Sequence, residues 1–213
     1  LAGKWFVVFT DDNFDGVYLM NLASGAIRQL RQNAVKSKPS VSDDGSEIYY
    51  VGDDSKLYGL FYNTSTKQYQ EFILDSDPIY RNACISKDGA FLAVLYEQAE
   101  NKIHIYQFAN QKWNTFTLSN PTTGSGVNTS NVKYADFLDF EHSGQYLMYD
   151  CLSELDNGTS DPYEYWDIGF VRVFDLVTKT VGDGHIEKLF SDIPENVSIG
   201  NPVFSKNSPY IIA

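Results

Sequence analysis

Between Asp11 and Gly16 the chain reads DDNFDG, with Asp11, Asn13 and Asp15 at alternate positions ahead of a glycine. A calcium loop of the form DxNxDG begins this way, because a hard cation collects oxygen ligands from alternate residues of a tight turn. A complete loop closes on a carboxylate, and here the closing position is Leu22, inside an apolar run. The residues therefore favour a hairpin turn in which Gly16 supplies positive φ, with calcium at Asp11, Asn13 and Asp15 as the alternative. No other cofactor is indicated.

Other reactive residue types are sparse. His104, His142 and His185 do not fall at metal-ligand spacing, and no GxSxG nucleophile elbow occurs. The glycines of GSG at Gly124 to Gly126 lack the GK[ST] that would make a phosphate cradle. Cys84 and Cys151 each lie in an apolar, strand-like stretch and read as buried free thiols. A catalytic site is not indicated. The unusual stretch is DCLSELDNGTSDPYEYWD, Asp150 to Asp167, with six acidic residues, no basic one, and the aromatics Tyr163, Tyr165 and Trp166. Exposed Tyr and Trp enrich at binding sites, so Asp156, Asp161, Tyr163, Glu164, Tyr165, Trp166 and Asp167 are the candidate partner-binding residues of an inserted recognition loop.

What must position these residues is legible from composition and self-similarity. The chain has 213 residues, 43% hydrophobic and 15% aromatic, mostly Tyr and Phe, with turn residues every few positions, which reads as an all-β globular fold. The stretches PSVSDDGSEIYYVGDDSKLYGLF from Pro39 and ACISKDGAFLAVLYEQAENKIHIYQF from Ala83 match element by element: an SxDG turn, an apolar strand, a polar loop and another strand. Equivalent turns place Gly3, Gly45, Gly89, Gly144 and Ser208 at spacings of 42, 44, 55 and 64 residues. A period in the low forties with four strands per unit is the signature of a β-propeller blade. The expected fold is an all-β propeller of four-stranded antiparallel blades, over approximate repeats 1–34, 35–77, 78–131, 132–198 and an incomplete 199–213. It is either a single domain or a segment of a larger propeller.

The stretches SDDGSEIYYVGDDSKLYGL and GVYLMNLASGAIRQL resemble the repeat of TolB-type propellers, whose blades run SPDG, strand, polar loop, YxxD and a TG or SG turn. The resemblance covers nearly the whole chain, with Asp43, Lys87, His142 and Lys206 where the usual Pro stands. It implies a blade rather than an activity. Such blades occur in periplasmic scaffold proteins, in secreted binding proteins and as the substrate-gating domain of prolyl-oligopeptidase-type serine peptidases.

Charge narrows the partners. With 16 basic and 28 acidic residues the net charge is −12, which repels a phosphate backbone, so nucleic acid is not an expected partner. No apolar run approaches the roughly 18 residues of a membrane-spanning helix. Four glycosylation sequons, at Asn63, Asn128, Asn157 and Asn196, lean towards an extracytoplasmic location. The expected protein is a noncatalytic, periplasmic or secreted propeller that recognises a protein or glycan, with further domains of the same polypeptide. The alternative is the propeller domain of a serine peptidase whose catalytic domain lies outside this sequence.

Overall fold

The computed structural model describes residues 6–119, 131–155, 163–189, 199–205 and 211–212. These residues are all-β, and every strand pairing is antiparallel. The chain divides into two compact units, Leu1–Glu97 and Gln98–Ala213.

The first unit holds a three-stranded sheet of β1 (Phe6–Phe9), β2 (Val17–Asn21) and β3 (Ile27–Arg31). A four-stranded sheet follows, with β4 (Ser40–Val41), β5 (Glu47–Val51), β6 (Leu57–Asn63) and β7 (Gln68–Asp75) in sequence order. The hairpin of β8 (Tyr80–Ile85) and β9 (Phe91–Tyr96) closes the unit. Val17, Val35, Ile48, Tyr50 and Leu60 form one buried cluster, against which Val8, Phe14 and Tyr58 pack. Each large apolar side chain removed from water in this way contributes about 1.5–3 kcal/mol.

Arg31 joins the first two sheets. Its guanidinium sits 4.2 Å above the Tyr58 ring and 5.1 Å from the Tyr50 ring. Its Nη1 donates to Glu71 at 2.7 Å and to the Tyr50 hydroxyl at 3.1 Å. The planar, weakly hydrated guanidinium satisfies stacking and hydrogen bonding at once, which an ammonium would not.

The second unit begins with the hairpin of β10 (Lys102–Gln107) and β11 (Lys112–Thr117). Its main sheet orders β12 (Asn131–Phe140), β13 (Tyr146–Leu155), β14 (Tyr163–Arg172) and, after the small hairpin of β15 (Phe174–Asp175) and β16 (Thr180–Val181), β17 (Ile186–Lys188). VRVFD, aligned with the third strands of the other repeats, straddles the end of β14 and the start of β15. Most of what reads as a loop from Asp150 to Asp167 is strand, because β13 and β14 run ten residues each, with 156–162 between them outside the described residues.

The SxDG turns have one geometry. The Gly45, Gly89 and Gly144 N–H groups donate to the carbonyls of Ser42, Ser86 and Glu141 at 2.9, 3.0 and 3.1 Å. All three glycines take positive φ, between 71° and 74°, where a Cβ would be strained. In the first turn the Asp44 carboxylate accepts the Ser46 N–H at 2.9 Å and the Ser42 hydroxyl at 2.8 Å, while the Ser42 Oγ accepts the Glu47 N–H at 3.1 Å. In the fourth repeat Glu141 takes over both acceptor roles, receiving the Gln145 N–H at 2.9 Å and the Tyr146 N–H at 3.5 Å. Successive turns also touch: the Asp43 N–H donates to the Lys87 carbonyl at 2.8 Å in the first unit. In the second, His142 Nε2 donates to the Ser205 carbonyl at 2.9 Å.

Partial burial works to raise the Asp44 carboxyl, but the bonds from Ser46 and Ser42 outweigh it and hold it below the usual carboxylate range. A depressed carboxylate stabilises the fold above its unfolded value, and that contribution disappears as pH falls through the folded value. Asp44→Asn is therefore expected to be less stable than the parent chain at neutral pH, with the gap closing below about pH 4. Urea unfolding at pH 7 and pH 3 checks this, and a gap that does not change with pH contradicts it.

Candidate functional site

The pleat of β14 decides what the acidic and aromatic residues can do. Successive side chains on a strand point to opposite faces. Tyr163, Tyr165 and Asp167 lie on one face, and Glu164 and Trp166 on the other. Tyr165 and Asp167 are each only 1% exposed, so these two expected recognition residues belong to the core instead. Tyr163, at the strand end, is 41% exposed, and its ring stacks on that of Tyr165 with centroids 6.1 Å apart and planes 14° from parallel. Trp166 is half-buried and meets the Tyr134 ring edge-on at 5.8 Å. Asp156 and Asp161 lie outside the described residues.

A charge cluster borders this strand end. Lys133, at a bulge in β12, reaches Glu154 at 2.7 Å and also pairs with Glu164. Glu154 and Glu164 face each other across β13 and β14, so without Lys133 two like charges would sit opposite one another. The accessible surface at this end is thus Tyr163, Glu164, Lys133 and part of Trp166.

Beneath it lies a buried polar cluster that sequence reading missed. Asp167 forms an ion pair with Lys188, which is buried on β17 with its Nζ 6.0 Å from the Tyr165 ring centre. Cys151, directly across from Asp167, has its thiol pushed up to about 12, chiefly by burial and further by the Asp167 charge. Burial and the neighbouring carboxylate thus disfavour the thiolate, the nucleophilic form of Cys151. Both cysteines are buried and free, in line with the sequence reading. On the other face, Asp150 accepts the N–H groups of Asp136 at 3.2 Å, Phe137 at 2.7 Å and Asn201 at 2.8 Å. The strand-forming runs YLMYDC and YWDIGFV are the signal that could have exposed β13 and β14, whereas the partners of their acidic residues leave no mark in the local sequence.

The candidate metal loop lies between β1 and β2 of the first unit. Asp11 accepts the Asp15 N–H at 2.8 Å, and the Phe14 N–H donates to the Asp11 carbonyl at 3.0 Å. Asn13 and Asp15 are exposed. The positive φ expected at Gly16 falls instead on Phe14, at 58°, whose ring packs on the core cluster. Gly16 is required for a different reason: a Cβ there would come within 2.4 Å of the Arg31 carbonyl oxygen. Among the described residues no three His, Cys, Asp or Glu side chains gather as a metal site. His104 is packed, its ring nitrogens bonded to Thr115 Oγ1 at 3.0 Å and Glu100 Oε1 at 2.8 Å.

Neither a protein-family model nor a curated protein sequence matches this chain. Solved structures do. A putative TolB from Agrobacterium tumefaciens superposes with a TM-score of 0.53 at 15% identity, over 87% of this chain and 61% of that one. TolB from Acinetobacter baumannii superposes with a TM-score of 0.51 at 17% identity, over 85% of this chain and 40% of that one. The chain has a TolB-like β-propeller fold. It spans less than two thirds of the length of both TolB structures. The β-propeller domain of the Trilobed protease from Pyrococcus furiosus gives a TM-score of 0.46 at 12% identity, over 89% of this chain and 54% of that one. Within the TolB-like blades, the three SxDG turns join first and second strands at equivalent places, as their spacing predicts.

Removing one partner of a buried ion pair strands the other charge. Lys188→Met is expected to lower unfolding free energy by about 3 kcal/mol, and adding Asp167→Asn to recover most of that loss. Denaturant titration of the single and double variants checks it; equal stability of Lys188→Met and the parent would place the pair in solvent.

Proposed function

We propose that this chain is a noncatalytic binding or scaffold propeller, acting outside the cytoplasm, that recognises a protein or glycan through the β13–β14 end of its fourth repeat. The observation that carries this reading is Tyr163. Its ring is exposed at a strand terminus yet held parallel to the buried Tyr165 ring, so little rotamer freedom is lost on contact. Rigid, half-exposed aromatics of this kind act as anchors at interfaces and stack on the apolar faces of sugars. Glu164, paired with Lys133, borders the anchor with polar groups that can hydrogen-bond a partner. The sequons lean towards an extracytoplasmic setting, as does the resemblance of the repeat to TolB-type blades.

The binding residues of this reading are Tyr163, Glu164 and Trp166, with Asp156 and Asp161 in the adjoining segment. Tyr165 and Asp167 support them from below. The double variant Tyr163→Ala, Glu164→Ala is expected to abolish binding on a glycan array or to a cross-linked protein partner, with the unfolding free energy lowered by no more than about 1.5 kcal/mol, the scale of the lost ring stacking. Undiminished binding by the double variant would overturn the assignment of this surface.

A further inference from the structure

One hairpin turn recurs along the chain. Asn21, Asn63 and Asp175 end β2, β6 and β15, and each caps the turn that follows it. Asn21 Oδ1 accepts the Ala23 and Ser24 N–H groups at 2.9 and 3.2 Å, and Asp175 Oδ1 accepts those of Val177 and Thr178 at 2.8 and 3.0 Å. Asn63 Oδ1 does the same for Ser65 at 2.9 Å and Thr66 at 3.2 Å. Four residues after the cap the backbone takes positive φ, at Gly25, Lys67 and Lys179, and again at Gln111 in the turn after Gln107 of β10.

Two side chains set the Asn63 turn apart. Two positions before the cap, Leu19, Ile105 and Val173 are buried at 9%, 2% and 2% exposure, whereas Phe61 is 49% exposed. Two positions after it stand Ala23, Ala109 and Val177 in the sister turns, but the hydroxyl of Ser65 here. Phe61 and Asn63 share one face of β6 by alternation. Gln70, which pairs with Phe61 across the hairpin, accepts a long 3.5 Å bond from Asn63 Nδ2, so the amide nitrogen is turned towards that pair.

Asn63-Thr64-Ser65 is a glycosylation sequon whose strands and turn are described throughout, while Asn128, Asn157 and Asn196 lie outside the described residues. Residues 64–68 are exposed, so a bulky group at this tip meets solvent. A sugar on Nδ2 replaces one of its two hydrogens and leaves both Oδ1 bonds to the turn intact. The C–H face of its pyranose ring would cover the Phe61 ring, removing from water the apolar surface that the sister turns bury in the sheet.

We infer that Asn63 is an N-glycan acceptor and that its first sugar stacks on Phe61. The inference rests on the extracytoplasmic setting of the proposed function and is separate from the Tyr163 surface. The donor is a polyprenyl-diphosphate-linked oligosaccharide. The bond between Nδ2 and the sugar C1 forms, the C1–O bond to the diphosphate breaks, Nδ2 releases a proton, and the lipid diphosphate leaves with the electron pair.

The first test is peptide mapping of the protein recovered from its own cells, with N-glycans released by amidase in heavy-oxygen water. Isotope uptake at Asn63 is expected. A bare Asn63 in protein recovered outside the cytoplasm would overturn the inference alone, and a bare Asn63 in protein recovered from the cytoplasm would overturn it together with the extracytoplasmic reading. The second test is urea unfolding of the parent, Ser65→Ala, Phe61→Ala and the double variant from the same cells. Ser65→Ala keeps the backbone N–H that caps the turn. It is expected to lose the glycan and to raise the unfolding equilibrium constant about fivefold, but to leave it unchanged in the Phe61→Ala background. Equal effects in the two backgrounds would overturn the stacking. Made where no glycosylation occurs, the parent and Ser65→Ala are expected to unfold alike, and a fivefold difference there would assign the effect to Ser65 itself and overturn the stacking.

Discussion

A strand covered on both faces has no surface except at its ends, and this constraint governs where the chain can carry function. Consecutive residues are buried along Ile48–Val51 in β5, Phe91–Leu95 in β9 and Leu147–Cys151 in β13, a pattern possible only where both faces of the sheet are packed. The inner strands therefore expose side chains only where they emerge into turns and loops, whereas outer strands such as β7 and β11 are exposed along most of their length. Tyr163 and Tyr146 lie at such ends; Tyr165, two residues along from Tyr163, does not.

The same constraint explains the buried polar groups. A strand packed on both faces needs partners for every carboxylate placed on it. Asp150 obtains them from the N–H groups freed where the register of β12 shifts between Ala135 and Leu138, together with the Asn201 N–H. Asp139 does the same for the Phe204 N–H at 2.8 Å. These two acids tie the start of the fifth repeat to the fourth through backbone donors, which leaves the side chains of Phe204 and Ile212 free to form a groove wall. Asp167 lacks such donors beyond its neighbour Ile168 and relies on Lys188 instead. Arg31, held between two tyrosine rings and Glu71, is the corresponding solution in the first unit.

Much of the architecture was legible because it rests on short-range chemistry. The SxDG turns follow from a glycine that must take positive φ and a side-chain oxygen that must accept a nearby N–H, and both requirements leave marks in sequence. The strands between them are short and bounded by turn residues. The Asp150 to Asp167 stretch defeated the same approach, because its composition resembles a loop while its pleat is that of a strand. Six acidic residues in eighteen suggest solvent, yet four of them, Asp150, Glu154, Glu164 and Asp167, meet specific partners that come from β12, β17 and residue 201. No local pattern announces a partner dozens of residues away. Gly16 shows the same limit: its role is to admit the Arg31 carbonyl, a contact that only the folded β2–β3 pairing reveals.

The two ends of the fourth-repeat sheet differ in how their aromatic residues are held. At the β13–β14 end a single exposed ring lies flat on a buried one, which suits a shallow stacking contact. At the turn end, among the described residues, the rings of Tyr146, Phe170 and Phe204 line an open groove. Both ends carry carboxylates, but only the first neutralises its pair internally, through Lys133. At the turn end Glu187 is exposed beside Phe170, and its ion-pair partner among the described residues is His185 at 3.7 Å. The two ends differ in chemistry over a common core because the ten-residue length of β13 and β14 keeps them apart.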